Sequence, residues 1–175
     1  GGMNERWAMH YFLAWRHTGG SEAALAYLRK RFDLYGDKNS GPAITLADAY
    51  ERLSREPEAI AVLEEALLRR PEDGDLLLYA ASTYLGVGQL ESAQEMLDKA
   101  KGRCDRVRWA RQAAGLAAVC GDREGREMHW RSVLESDPLA IDAHRALARL
   151  AAQKGAVDDD VAYFAEQCEK FPFYC

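Results

Sequence analysis

Small and apolar residues recur at a fixed interval in the middle of the chain. Six positions between residues 47 and 105 come back after 34 residues. The pairs are Ala47 and Ala81, Tyr50 and Tyr84, Ala59 and Ala93, Leu63 and Leu97, Ala66 and Ala100, and Pro71 and Asp105. A period of this length, with small and aromatic residues at constant offsets, is typical of stacked helix pairs. This double repeat therefore predicts two consecutive antiparallel helix hairpins.

The same period extends to both sides of the double repeat. A helical pattern over 4–17 is followed by a Gly19–Gly20 turn and by a second helical pattern that begins near Ser21. Further along, glycines at 88, 121 and 155 and prolines at 138 and 172 recur at 33 or 34 residues. We therefore expect a single domain over residues 3–175, with Gly1 and Gly2 resembling a tag remnant. Its five predicted repeats are 5–39, 40–73, 74–106, 107–140 and 141–174.

The order of residues within each repeat resembles a known family. A small residue, Tyr, Ala, a large apolar residue, Ala and Pro follow one another from Ala47 to Pro71, as in the tetratricopeptide repeat. The resemblance is good over 40–107 and looser elsewhere, and the Trp familiar near the start of a repeat is replaced by Ala43 and Leu77. It implies an all-α right-handed superhelix (an α-solenoid) of about five antiparallel hairpins and about ten helices. The first helix of each pair would then line a concave groove.

Composition and charge narrow the functional class. The chain is 48% hydrophobic and 29% charged, with a formal net charge of −5, which disfavours a general nucleic-acid binder. No stretch approaches the roughly 20 apolar residues of a membrane span, so no membrane role is expected. Four cysteines without a CxxC pair favour reduced thiols and a cytoplasmic location.

No residue pattern indicates chemistry. The histidines form no HxxxH motif, and His129 and His144 lack a Ser, Cys or Asp partner at a recognisable spacing. The Asp run over 158–160 lacks the alternating ligands and Gly of a calcium loop, and no Gly-rich loop follows a strand. The four tryptophans lie at helical spacing and are expected to pack in the core. We therefore predict that the chain is not an enzyme, with no catalytic residue, cofactor or metal.

The resemblance places two kinds of side chain in the groove, apolar residues in the third repeat and arginines in the last two. The candidates are Leu78, Tyr79 and Leu85, and Arg108, Arg111, Arg145 and Arg149. Arginine suits forked contacts with carboxylates, so the arginines predict an acidic or C-terminal peptide as ligand. The alternative is that they pair with nearby acids, Arg108 with Asp105 and Arg145 with Asp142, and only solvate the surface. The apolar strip either binds a partner helix or is covered by the chain's own segment or a second copy.

Three functions are compatible with these features. The first is a scaffold or adaptor that binds a peptide or partner helix of another protein in the concave groove. The second is an accessory domain, for substrate recognition or regulation, of a larger enzyme that continues beyond residue 175, because the terminal Phe171–Cys175 segment shows aromatics and no polar cap. A helical-repeat RNA reader is the third, and the acidic charge disfavours it. A homodimer is compatible with each.

Overall fold

The computed structural model describes residues 2–154 and the helical residues 162, 165, 166 and 169. Within this part of the chain, regular secondary structure is entirely helical. The helices are α1 (Gly2–His17), α2 (Ser21–Tyr35), α3 (Gly41–Glu51), α4 (Glu56–Arg69), α5 (Gly74–Gly86), α6 (Leu90–Ala100), α7 (Arg106–Val119), α8 (Arg123–Ser136) and α9 (Ile141–Lys154). The predicted all-α fold of helix hairpins is confirmed. The second helix of the fifth predicted hairpin and the Phe171–Cys175 segment lie outside the described residues.

The chain divides into two compact units, residues 1–104 and 105–175. The first unit contains three hairpins, α1–α2, α3–α4 and α5–α6, whose helices pack against each other. The second contains the α7–α8 hairpin and α9, which packs against α8. The assignment of all repeats to a single domain stays a prediction.

The small residues of the double repeat lie where two helices of a hairpin cross. Ala47 and Ala59 in the second hairpin and Ala81 and Ala93 in the third are all buried. Alanine at these positions lets two helix backbones approach closely, since a larger side chain would hold them apart. The 34-residue period in the sequence is therefore a period of helix contacts.

The tryptophans divide between the core and the surface. In the second unit, Trp109 and Trp130 are partly buried against the core cluster formed by α7, α8 and α9. In α1, by contrast, Trp7 and Trp15 remain 67% and 41% exposed. The expectation that all four pack in the core is thus wrong for α1, because no helix precedes α1 in the described chain to cover this face.

Charged side chains link one hairpin to the next within the first unit. The Arg55 guanidinium lies 2.9 Å from the Glu22 carboxylate, joining the first and second hairpins. The Arg103 guanidinium lies 2.6 Å from the Glu72 carboxylate and joins the second hairpin to the loop after the third. Exposed pairs of this kind each contribute only ~0–1 kcal/mol, so their main effect is on the register between neighbours.

Asp73 caps the start of α5. Its carboxylate accepts hydrogen bonds from the Leu76 N–H at 3.0 Å and from the Arg70 guanidinium at 2.8 Å. Burial acts to raise the pKa of this carboxyl, but the bonds from Leu76 and Arg70 outweigh burial and hold the pKa below its usual range. The folded state therefore favours ionised Asp73.

We expect this carboxylate to make stability depend on pH. Because the pKa is lower in the folded state, Asp73 stabilises the fold above its unfolded pKa of about 4. That contribution disappears as the pH falls through the folded pKa. Asp73→Asn keeps a capping oxygen but loses the charge, and should lower the free energy of unfolding at pH 7 by about 1 kcal/mol. Urea denaturation should show this difference shrinking towards pH 3, whereas a gap that is constant with pH would contradict the assignment.

Candidate functional site

A cavity of about 250 Å³ opens in the first unit between the end of α3, the start of α4 and one side of α5. Its lining is polar at one end and open at the other. The lining residues are Glu51, Glu56, Tyr79, Ser82, Thr83, Gly86 and Val87.

Glu51 is the centre of the polar end. Its carboxylate accepts a hydrogen bond from the Tyr79 hydroxyl at 3.0 Å and one from the Thr83 hydroxyl at 2.6 Å. The adjacent cation, Arg52, is 2.9 Å from Asp48 on its own helix turn and is thus engaged elsewhere. Among the described residues, no Lys or Arg forms an ion pair with Glu51 or Glu56. The cavity therefore carries two carboxylates without a cation of the chain's own.

The Tyr79 hydroxyl remains a hydrogen-bond donor. Burial raises the pKa of Tyr79 far above its ordinary value, and the negative charges of Glu51 and Asp48 raise it further. The phenol is therefore neutral at every pH at which the protein is folded, and its proton stays available to Glu51.

The predicted apolar strip of the third repeat is only partly a surface. Tyr79 lines the cavity and Leu85 is partly buried. Leu78, however, is 3% exposed and belongs to the core, which corrects its placement in the groove. The reason is that α5 packs against both α4 and α6, so Leu76, Leu77 and Leu78 are all buried. The groove assignment rests on repeat register alone, which does not show that a helix is covered on several sides.

The arginines of α7 are engaged. The Arg111 guanidinium lies 2.7 Å from the Asp142 carboxylate of α9 and 3.8 Å from Asp137. The hydrogen bond from Arg111 holds the pKa of the Asp142 carboxyl below its usual range. At the start of α7, the Arg108 backbone N–H donates to the Asp105 carboxylate at 2.8 Å, and the Arg108 side chain is exposed. Asp142 therefore pairs with Arg111, and not with Arg145 as the surface-only alternative supposes.

Arg145 and Arg149 of α9 remain available. Both are exposed, and neither forms an ion pair or side-chain hydrogen bond with any described residue. Their spacing of four residues places both guanidiniums on one face of the helix. Asp142 lies on the same side one turn earlier, so the two arginines continue the line of the Arg111–Asp142 pair.

Sequence reasoning missed the acids of the cavity. Glu51 and Glu56 come from the end of one helix and the start of the next, and Glu51 meets Tyr79 and Thr83 about 30 residues later in the chain. Only the 34-residue period could have indicated that these turns face each other.

Two other kinds of site are absent from the part of the chain that the structure describes. There, no group of three or more His, Cys, Asp or Glu side chains is arranged to hold a metal ion. Nor does any described helix have the length and apolar character needed to cross a membrane. Cys104 and Cys120 are free thiols, whereas Cys168 and Cys175 lie outside the described residues.

Comparison with known proteins identifies the family. The sequence profile described as "Tetratricopeptide repeat" matches residues 54–103, which include α4, α5 and α6. The chain belongs to the tetratricopeptide-repeat superfamily. The profile thus falls on the well-formed centre of the repeat array, and proteins of this superfamily generally mediate protein–protein interaction. No curated protein matches the sequence.

Solved tetratricopeptide-repeat structures share the fold along most of the chain. A crystal structure of MamA has a TM-score of 0.71 at 16% identity, and the match covers 90% of this chain and 92% of that one. MamA 41-end from Desulfovibrio magneticus RS-1 has a TM-score of 0.70 at 17% identity, covering 94% and 93%. TTC0263, a thermophilic TPR protein in Thermus thermophilus, has a TM-score of 0.64 at 20% identity, covering 97% and 92%. At these identities the likeness concerns the fold.

Proposed function

We propose that the chain is a cytoplasmic scaffold or adaptor without catalytic activity, and that the Arg145–Arg149 face of α9 binds an acidic segment of a partner protein. The observation that carries the proposal is the pair of exposed guanidiniums, which have no acidic partner among the described residues. The superfamily supports the general role, since its members serve as frames for protein recognition.

The chemistry of the pair favours carboxylates. Each guanidinium offers a planar fork of donors that matches a carboxylate with two parallel hydrogen bonds. The nearest acid on the same face, Asp142, is neutralised by Arg111 at 2.7 Å and therefore does not quench Arg145. In a chain with a net charge of −5, a local cationic face of this kind selects for acidic segments through their charge.

The proposal is tested by neutralising the pair. We expect Arg145→Gln/Arg149→Gln to lower the recovery of specific partners about tenfold in quantitative affinity capture from cell extract. The matched control is Lys30→Gln/Arg123→Gln, which removes the same charge at two exposed positions on other helices and should leave recovery unchanged. Equal recovery by the wild-type chain and the Arg145→Gln/Arg149→Gln variant would show that the pair is not the binding site.

A further inference from the structure

We propose that the cavity beside Glu51 is a pocket for a basic side chain, the ammonium of Lys or the guanidinium of Arg, presented by a peptide segment of a partner. This inference rests on the role in protein recognition proposed above, but it concerns the first unit and a ligand of opposite charge.

The acceptors in the cavity select for a cation. Glu51 and Glu56 are both partly buried and have no ion-pair partner among the described residues. Glu51 already accepts the hydroxyl protons of Tyr79 and Thr83, which fix the orientation of its carboxylate. A carboxylate held by neutral donors keeps its charge, and an incoming ammonium or guanidinium would add charge-assisted hydrogen bonds to it.

A divalent metal suits the site less well. Calcium takes six to eight oxygen ligands, usually including several carboxylates. The cavity offers the carboxylates of Glu51 and Glu56 alone, and the Tyr79 and Thr83 hydroxyls are turned to donate to Glu51. A cation that brings its own N–H donors fits this arrangement better, because it needs acceptors in only a few directions.

The size and opening of the cavity fit a side chain. Its volume of about 250 Å³ greatly exceeds the roughly 10–15 Å³ that admits one water. Gly86 lines it, and a Cβ added at Gly86 would meet no atom within 4 Å. The last turn of α5 therefore leaves an open approach, and Val87 provides an apolar wall for the methylenes of Lys or Arg.

The test is a titration with short capped peptides, followed by amide chemical shifts in NMR spectra at low salt. Ac-Ala-Lys-Ala-NH₂ and Ac-Ala-Arg-Ala-NH₂ should give saturable shifts at the amides of Tyr79, Ser82 and Gly86. The peptide with norleucine in place of Lys has the same methylenes without the charge and should give none. We expect Glu51→Gln and Glu56→Gln each to weaken the cationic peptides at least fivefold. Glu124→Gln, an equal charge change in the second unit, should have no effect.

Two further variants separate binding from folding. Glu56→Gln breaks no hydrogen bond of the Glu51–Tyr79–Thr83 group, so its effect cannot come from the loss of that group. Gly86→Leu fills the opening at a helical position that tolerates a side chain, and should abolish the shifts while the helix content stays the same. The proposal is overturned if the cationic peptides give no saturable shifts, if norleucine serves as well as Lys, or if Glu56→Gln and Gly86→Leu bind like wild type. None of these outcomes depends on Arg145 or Arg149, so the two proposals fail separately.

Discussion

Replacing Gly74 with alanine is expected to lower the free energy of unfolding of the chain by about 3 kcal/mol or more. Gly74 is the first residue of α5 and is buried. A Cβ at this position would lie 2.0 Å from the Arg103 carbonyl oxygen and 2.3 Å from its carbon. Both atoms are backbone, so no side-chain rotation can relieve the overlap. The loop after α6 would have to move away from the start of α5.

A second glycine of the same helix provides the control. Gly86 is the last residue of α5, and an added Cβ there meets nothing within 4 Å. Gly86→Ala should therefore be neutral or should raise the free energy of unfolding by up to about 1 kcal/mol, because alanine favours the helix. Urea denaturation followed by circular dichroism compares the two variants directly. If Gly74→Ala proved as stable as Gly86→Ala, the close packing of the loop against α5 would be wrong.

Glu5→Gln is expected to have the second-largest effect, a loss of about 2 kcal/mol in the free energy of unfolding. The Glu5 carboxylate of α1 lies 2.6 Å from the Arg31 guanidinium of α2 and accepts the Thr45 hydroxyl of α3 at 3.0 Å. The side chains of Arg31 and Glu5 are only 17% and 19% exposed. A neutral amide would leave the Arg31 charge without its counter-charge in a poorly solvated position, and one residue would no longer join three helices.

The same substitution at a solvated pair isolates the effect of burial. Glu95 and Lys99 form an ion pair at 2.6 Å with side chains that are 61% and 52% exposed. Glu95→Gln should therefore change the free energy of unfolding by less than about 0.5 kcal/mol. Thermal or urea unfolding of the two variants side by side gives the comparison. Equal losses would mean that the Glu5–Arg31–Thr45 contact adds no more than an ordinary surface pair.

The sequence predicts the hairpins because their packing is local and periodic. Ala47, Ala59, Ala81 and Ala93 are small wherever two helices of one hairpin cross, and that requirement is visible as a 34-residue repeat. Gly74 has no such signal, because its need for a missing side chain comes from a carbonyl 29 residues away.

The candidate sites are harder to predict, because their partners lie in neighbouring repeats. Sequence spacing offers Asp142 as a partner of Arg145, three residues away on one helix. The structure pairs it instead with Arg111, across from α9 to α7. Glu51 likewise finds Tyr79 and Thr83 on the next hairpin. Register within a repeat is a local property, whereas these pairings depend on how one hairpin is placed against the next.

Binding of an acidic protein segment by Arg145 and Arg149 is tested most directly by calorimetric titration. A partner captured by the wild-type chain is titrated into wild type, Arg145→Gln/Arg149→Gln and the Lys30→Gln/Arg123→Gln control. We expect the dissociation constant to rise about tenfold for the first variant only, and the difference to narrow as salt screens the exposed charges. A dissociation constant that is the same for all three proteins would contradict this role of the two arginines.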